Sequence, residues 1–147
     1  MNKMKNLLSI ITALVLTIAL TGCATTKPQE ASLYDRLGGK EAITAVVGHL
    51  WGVASKDDRI NSYFANTRPE VFAPALIDFL CQGAGGPCEY KGQDMHAAHV
   101  GMQITGEAFD ALAEDIVITL DHFKVPTKEK NEVMAMLGGM KPVVINH

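Results

Sequence analysis

Five histidines are spread over the chain, and two of them, His96 and His99, stand three residues apart. The run Met95-His96-Ala97-Ala98-His99-Val100 is able to form helix, while Gly83, Gly85 and Gly86 before it and Gly101 after it break the backbone. On a helix a spacing of three puts both rings on one side, where they can chelate a metal. Asp94 or Glu89 would then supply the third ligand of a zinc-like site. The apolar neighbours Ala97, Ala98 and Val100 support another reading, in which the segment lies against something apolar and His99 points into it. One neutral imidazole entering a large apolar cavity suits the iron of a haem, which needs a strong nitrogen donor and an apolar wall. Trp51, Phe64, Phe72, Leu76 and Met95 offer such a wall, and they serve equally well as ordinary core. His49 beside an apolar stripe, His122 near a helix end and the terminal His147 read as ordinary structural or surface residues.

Other chemistries find little support. No His-Glu-x-x-His pair and no phosphate loop occur, and the glycines precede too short a helix for a dinucleotide fingerprint. Glu114 and Asp115 are adjacent, point apart on a helix, and read as a solvated face. Cys81 and Cys88 flank the glycine loop. A disulfide clamping that loop and two small buried thiols both remain open, whereas their wide spacing argues against zinc.

The elements that position these residues are helical. Apolar Ile43, Val46, Val47, Leu50, Trp51 and Ala54 fall at three-and-four spacing and predict a helix from Lys40 to Ser55. Arg59 to Phe64 fits one tight turn. Pro69 opens a further helix, with Asn66 or Thr67 as cap, Pro74 near its first turn and Phe72, Leu76, Phe79 and Leu80 as its stripe. A short helix spans Gln93 to Val100. Thr105 caps a long one faced by Phe109, Leu112, Ala113, Ile116, Leu120 and Phe123. Val125-Pro126-Thr127 stops it and caps the last, whose apolar side is Val133, Met136, Leu137 and Met140. Only Pro142 to Ile145 has a hint of strand. The fold class is all-α.

The 147 residues allow one domain. Lys3 and Lys5 precede an apolar run, Leu7 to Leu20, too short to span a bilayer and suited to a secretory signal. Leu20-Thr21-Gly22-Cys23 resembles the bacterial lipobox, in which the cysteine carries the lipid after cleavage. Ala24 stands where an inner-membrane retention signal shows Asp, which favours the outer membrane and the periplasmic side. We therefore expect a signal over 1–22, a flexible tether over 23–31 and a domain over 32–147. Cleavage removes two of 13 basic side chains and none of 16 acidic ones, leaving a net charge near −5. Nucleic acid is a poor partner for such a surface.

Leu33-Tyr34-Asp35-Arg36-Leu37-Gly38-Gly39, Tyr63-Phe64, Gly85-Gly86-Pro87 before Tyr90, and Met95-x-x-x-His99 leading to Ile104-Thr105 together resemble a group I truncated haemoglobin. The resemblance covers residues 32 to 145 and implies a two-over-two helical sandwich around haem b. It puts His99 on the proximal ligand, Phe64 on the ring that wedges the haem and Met95 on a haem contact. Trp51, Phe72, Leu76, Leu80 and Ile104 complete the implied pocket. No Cys-x-x-Cys-His motif is present, so the resemblance implies a non-covalent haem. Members that hold oxygen strongly carry a distal tyrosine and glutamine, where this chain has Trp51 and Leu76. Weaker retention of oxygen, easier oxidation to ferric haem and relatively better binding of carbon monoxide or nitric oxide are expected. Three functions follow in order: a carrier or sensor of a diatomic gas supported by an unidentified reductant, a nitric oxide dioxygenase or peroxidase, and a haem-free interaction module.

Overall fold

Residues 30–145 are described by the computed structural model, and the statements below concern those residues. The expected signal over 1–22, Cys23, the tether up to residue 29 and His147 lie outside them. Ala31–His147 forms one compact unit. Among the described residues no helix is long and apolar enough to cross a membrane.

Ser32 starts α1 (Leu33–Leu37) by accepting the Asp35 N–H at 3.1 Å. Gly38 ends it at φ 97°, a left-handed conformation that disfavours a Cβ, and α2 (Gly39–Ala54) follows at once. A single 3₁₀ turn, Asn61–Phe64, leads to α3 (Pro69–Gly83). Pro69 occupies the first turn, but Arg68 is the N-cap and makes no side-chain cap bond, so Asn66 and Thr67 do not play that part. Pro74 lies well inside α3, where its missing N–H leaves one intrahelical bond unmade. The short α4 (Met95–His99) is narrower than expected because Asp94 caps it, accepting the Ala97 N–H at 3.0 Å.

Thr105 caps α5 (Gly106–His122) through the Ala108 N–H at 3.1 Å, as expected. Within Val125-Pro126-Thr127 the N-cap of α6 (Thr127–Gly138) is Pro126, which has no side-chain acceptor to offer. Met140 falls beyond α6 and caps α7 (Lys141–Val144). The hint of strand at Pro142 to Ile145 is therefore overturned. Pro142 sits in the first turn of α7, where its fixed φ suits a helix and its absent N–H costs nothing.

The helices pack as two pairs, α2 with α3 and α5 with α6, and α2 also lies on α5. One core cluster joins Ile43 and Val47 of α2 to Cys81 of α3; another joins Ile116, Leu120 and Val133 of α5 and α6. A third gathers Ala54, Ile60, Ala108 and Ala111 beneath the 3₁₀ turn. Arg36 fastens α1 to α6 by donating to Glu129 at 2.9 Å and also to Glu132. Glu129 is held below its ordinary pKa by its own backbone N–H first and by the Arg36 guanidinium second. Phe123 departs from the expected stripe. It is the C-cap of α5, 40% exposed, with its edge against His49 and His122.

Asp115 corrects the reading of a solvated face. Glu114 is exposed and paired with Arg59 at 2.6 Å, but Asp115 is only 2% exposed and its Oδ2 has no hydrogen-bond partner. Burial first, and the nearby Asp57 second, push its carboxyl above the ordinary value. A folded pKa above the unfolded one means that the folded state binds the proton more tightly. Stability from this group is therefore present at low pH and is lost as pH rises from the unfolded value through the raised folded one. Asp115→Asn is expected to be more stable than wild type at pH 7 by about 1 kcal/mol. The gain should fade below pH ~4. Urea melts at both pH values check this, and a gain that is the same at both would contradict it.

Candidate haem site

His99 closes α4, one turn after Met95, and the backbone carbonyl of Met95 lies 2.7 Å from its Nδ1. A carbonyl oxygen only accepts, so Nδ1 carries the proton and donates. In the neutral ring the lone pair then belongs to Nε2, the atom left to bind a metal. The bond fixes the tautomer and the ring orientation together.

Trp51 from α2, Phe64 from the 3₁₀ turn and Phe72 from α3 form a closed aromatic triangle. Their ring centroids are 5.8 Å apart for Trp51–Phe64, 5.6 Å for Trp51–Phe72 and 6.1 Å for Phe64–Phe72. Phe64 and Ile104 rest together on the core cluster of Ala54 and Ile60. Leu76 and Leu80 pack toward Ile43, Val47 and Cys81. Leu80 also walls an apolar cavity of about 190 Å³ between α1, α2, α3, α5 and α6. That cavity is not the site, since neither His99, Met95 nor any ring of the triangle lines it.

The two groups are anchored to different neighbours, the triangle and α3 to α2, and α4 to α7. The side chains involved, Trp51, Phe64, Phe72, Leu76, Met95, His99 and Ile104, are all half-buried. Of the 15 residues of α3 only Cys81 is fully buried, and α4 has none. Half-buried apolar surface of this kind can accept a flat apolar group, while Phe64, Ile104 and Leu76 also pack against the core clusters.

The zinc-like alternative dissolves. Asp94 spends its carboxylate capping α4, Glu89 faces Lys91 at 3.4 Å, and no cluster of three ligating side chains occurs among the described residues. His49 and His122 stack on one another at 4.1 Å, and His49 Nδ1 is 3.2 Å from the buried Thr119 hydroxyl. Both belong to the α2–α5 contact, away from the aromatic triangle.

Cys81 and Cys88 are joined in a disulfide with their Cα atoms 5.7 Å apart. The loop between them folds back through the Gly86 N–H, which donates to the Cys81 carbonyl at 2.8 Å. A Cβ on Gly86 would come within 2.4 Å of the Tyr34 ring, so only glycine allows this approach. Two supporting residues were not legible in the sequence. Gln82 accepts the Tyr90 N–H through Oε1 at 2.7 Å, and Tyr63 reaches the Gln103 carbonyl at 3.5 Å. A glutamine before a loop carries no signal of its own, while the Tyr63–Phe64 pair marked the spot without the role.

Residues 32–146 match the family model for bacterial-like globins. A group 1 truncated haemoglobin of Tetrahymena thermophila is 37% identical over 66% of this chain and 80% of its own length. That of Tetrahymena pyriformis is 34% identical over 76% of this chain and 90% of its own. The solved Fe(III) form of a truncated haemoglobin from Tetrahymena pyriformis superposes with a TM-score of 0.77 at 30% identity, covering 80% of this chain and all of the other. The chain belongs to the bacterial-like globin family and, within it, stands with the group 1 truncated haemoglobins. Haem b is the cofactor and a diatomic gas the ligand class of this family.

Proposed function

We propose that the domain holds haem b non-covalently between α3 and α4, with His99 Nε2 as the protein ligand to iron, and binds a diatomic gas reversibly. The Met95–His99 hydrogen bond carries this reading, because it presents the nitrogen that iron requires. The haem, when bound, supplies a coordination position for the gas. The half-buried rings of Phe64 and Phe72 and the Met95 side chain would cover its faces and exclude water. Both cysteines of the domain are spent on each other, which favours a haem held without a thioether bond.

Trp51 and Leu76 set the ligand preference. Among Trp51, Phe64, Phe72, Leu76 and Leu80 the indole N–H is the only hydrogen-bond donor. A donated bond to oxygen in such a pocket is worth about 1.5–3 kcal/mol. With Leu76 in place of a glutamine one such bond is lost, which speeds release by roughly tenfold to a hundredfold. Nitric oxide and carbon monoxide, which depend less on that bond, are held relatively better. Dioxygenation of nitric oxide needs oxygen to persist, and peroxidase chemistry wants a distal base or cation, so reversible binding is the better-supported function. A separate reductant keeps the iron ferrous. The lipobox-like Leu20 to Cys23 supports export and a lipid anchor on Cys23, on the periplasmic side of the outer membrane.

Three outcomes are expected. Purified with ample haem, wild-type protein shows a haem spectrum and His99→Ala loses most of it; a colourless wild type or an unchanged variant removes the basis of the reading. Trp51→Tyr combined with Leu76→Gln slows oxygen release by about tenfold or more in stopped-flow experiments. A wild-type rate already as slow as the double variant's contradicts the apolar pocket. Cells fed a labelled fatty acid incorporate it into the wild-type chain and not into Cys23→Ser, and label in both would exclude that anchor.

A further inference from the structure

The loop from Ala84 to Asp94 delivers the chain from α3 to His99, and the bonds holding it run back to the last turns of α3. The Gly85 N–H donates to the Gln82 carbonyl at 3.0 Å and the Gly86 N–H to the Cys81 carbonyl at 2.8 Å. Farther along, the Tyr90 N–H donates to Gln82 Oε1 at 2.7 Å, and the Tyr90 ring meets Phe79 edge-on at 5.2 Å. Tyr90 passes this hold forward, since its hydroxyl donates to the Gln93 carbonyl at 2.8 Å and the next residue, Asp94, caps α4. Between these two sets of contacts stands the Cys81–Cys88 bridge.

The two ends of that bridge are unequal. Cys81 is 0% exposed, in the core with Ile43 and Val47, while Cys88 is half-buried on the loop. Rigidity therefore passes one way, from core to loop. At its far end α4 has five residues, too few to stay helical through its own bonds. We propose that the Cys81–Cys88 disulfide is a positioning element for His99. By fixing the loop to α3 it sets where α4, and with it the imidazole, stands relative to the aromatic triangle. The proposal rests on the reading of His99 as the iron ligand, but its effect on α4 does not need the haem.

The test compares wild type with Cys81→Ser/Cys88→Ser. In the haem-free proteins, hydrogen exchange at the Ala97, Ala98 and Val100 amides is expected to rise about tenfold on loss of the bridge, with the amides of α5 unchanged. In the haem-loaded proteins, haem transfer to an acceptor globin should speed up about tenfold and the ferrous iron–imidazole Raman band should broaden. Should the double variant not fold, wild type reduced with dithiothreitol and then reoxidised gives the same comparison reversibly. Unchanged exchange in α4, or an equal rise in α5, overturns the proposal, because the bridge would then stabilise nothing or everything alike. A haem spectrum that survives His99→Ala sinks the ligand reading alone and leaves the exchange result to judge the bridge.

Discussion

The hydrogen bond from His99 Nδ1 to the Met95 carbonyl is the constraint on which the rest of the site depends. It does inside one turn of helix what a metal site usually needs a carboxylate from elsewhere to do: it settles the tautomer and aims the ring. The economy has a consequence. Both partners lie on a five-residue helix, so the aim is only as good as the placement of α4 as a whole. That placement comes from the Asp94 cap, from the bend after it at Gly101 (φ 82°) and Gln103 (φ 55°), and from packing on α7.

The aromatic triangle is built on a different principle. Trp51, Phe64 and Phe72 come from three consecutive elements and hold each other by ring contacts, and Phe64 rests on the buried Ala54 and Ile60. A well-packed base under half-buried rings gives a stiff apolar surface that cannot close onto itself. The small residues Ala108 and Ala111 of α5 matter here, because they let the 3₁₀ turn approach closely and so fix where Phe64 emerges. The fully buried core and the half-buried rings are thus adjacent but not shared, so a ring of the triangle can change without removing a fully buried core residue.

Much of this was readable from the sequence. The stripes of α2 and α5 are long enough for helical periodicity to decide, and the Thr105 cap and the His99 segment carry their own chemistry. What escaped was decided by geometry over short distances. Four residues at Pro142–Ile145 are too few for a strand period to decide, and the proline in the first turn favours helix there. Asp115 lies in register with buried Ala111 and Thr119, but its charge hid the stripe, and adjacency to Glu114 says only that the two point about 100° apart, not which of them faces water. The cysteines were open to pairing or not until the loop was seen to fold back far enough to bring them together.

The unequal anchoring of the two walls bears on how the molecule behaves as a whole. The interior that sets global stability, Val47, Ile60, Cys81 and Thr119 foremost, belongs to α2, α3, α5 and the segment before the 3₁₀ turn, and none of it belongs to α4. Local opening of a segment with few buried contacts costs far less than unfolding of the domain. α4 therefore moves in a softer potential than the aromatic triangle, unless something ties it to the core. Contacts through Gln82, Phe79 and the cysteine bridge are the ties that reach from the rigid end of α3 toward it. The gas-binding geometry of this globin is then governed as much by an 11-residue loop, 84–94, as by the four long helices around it.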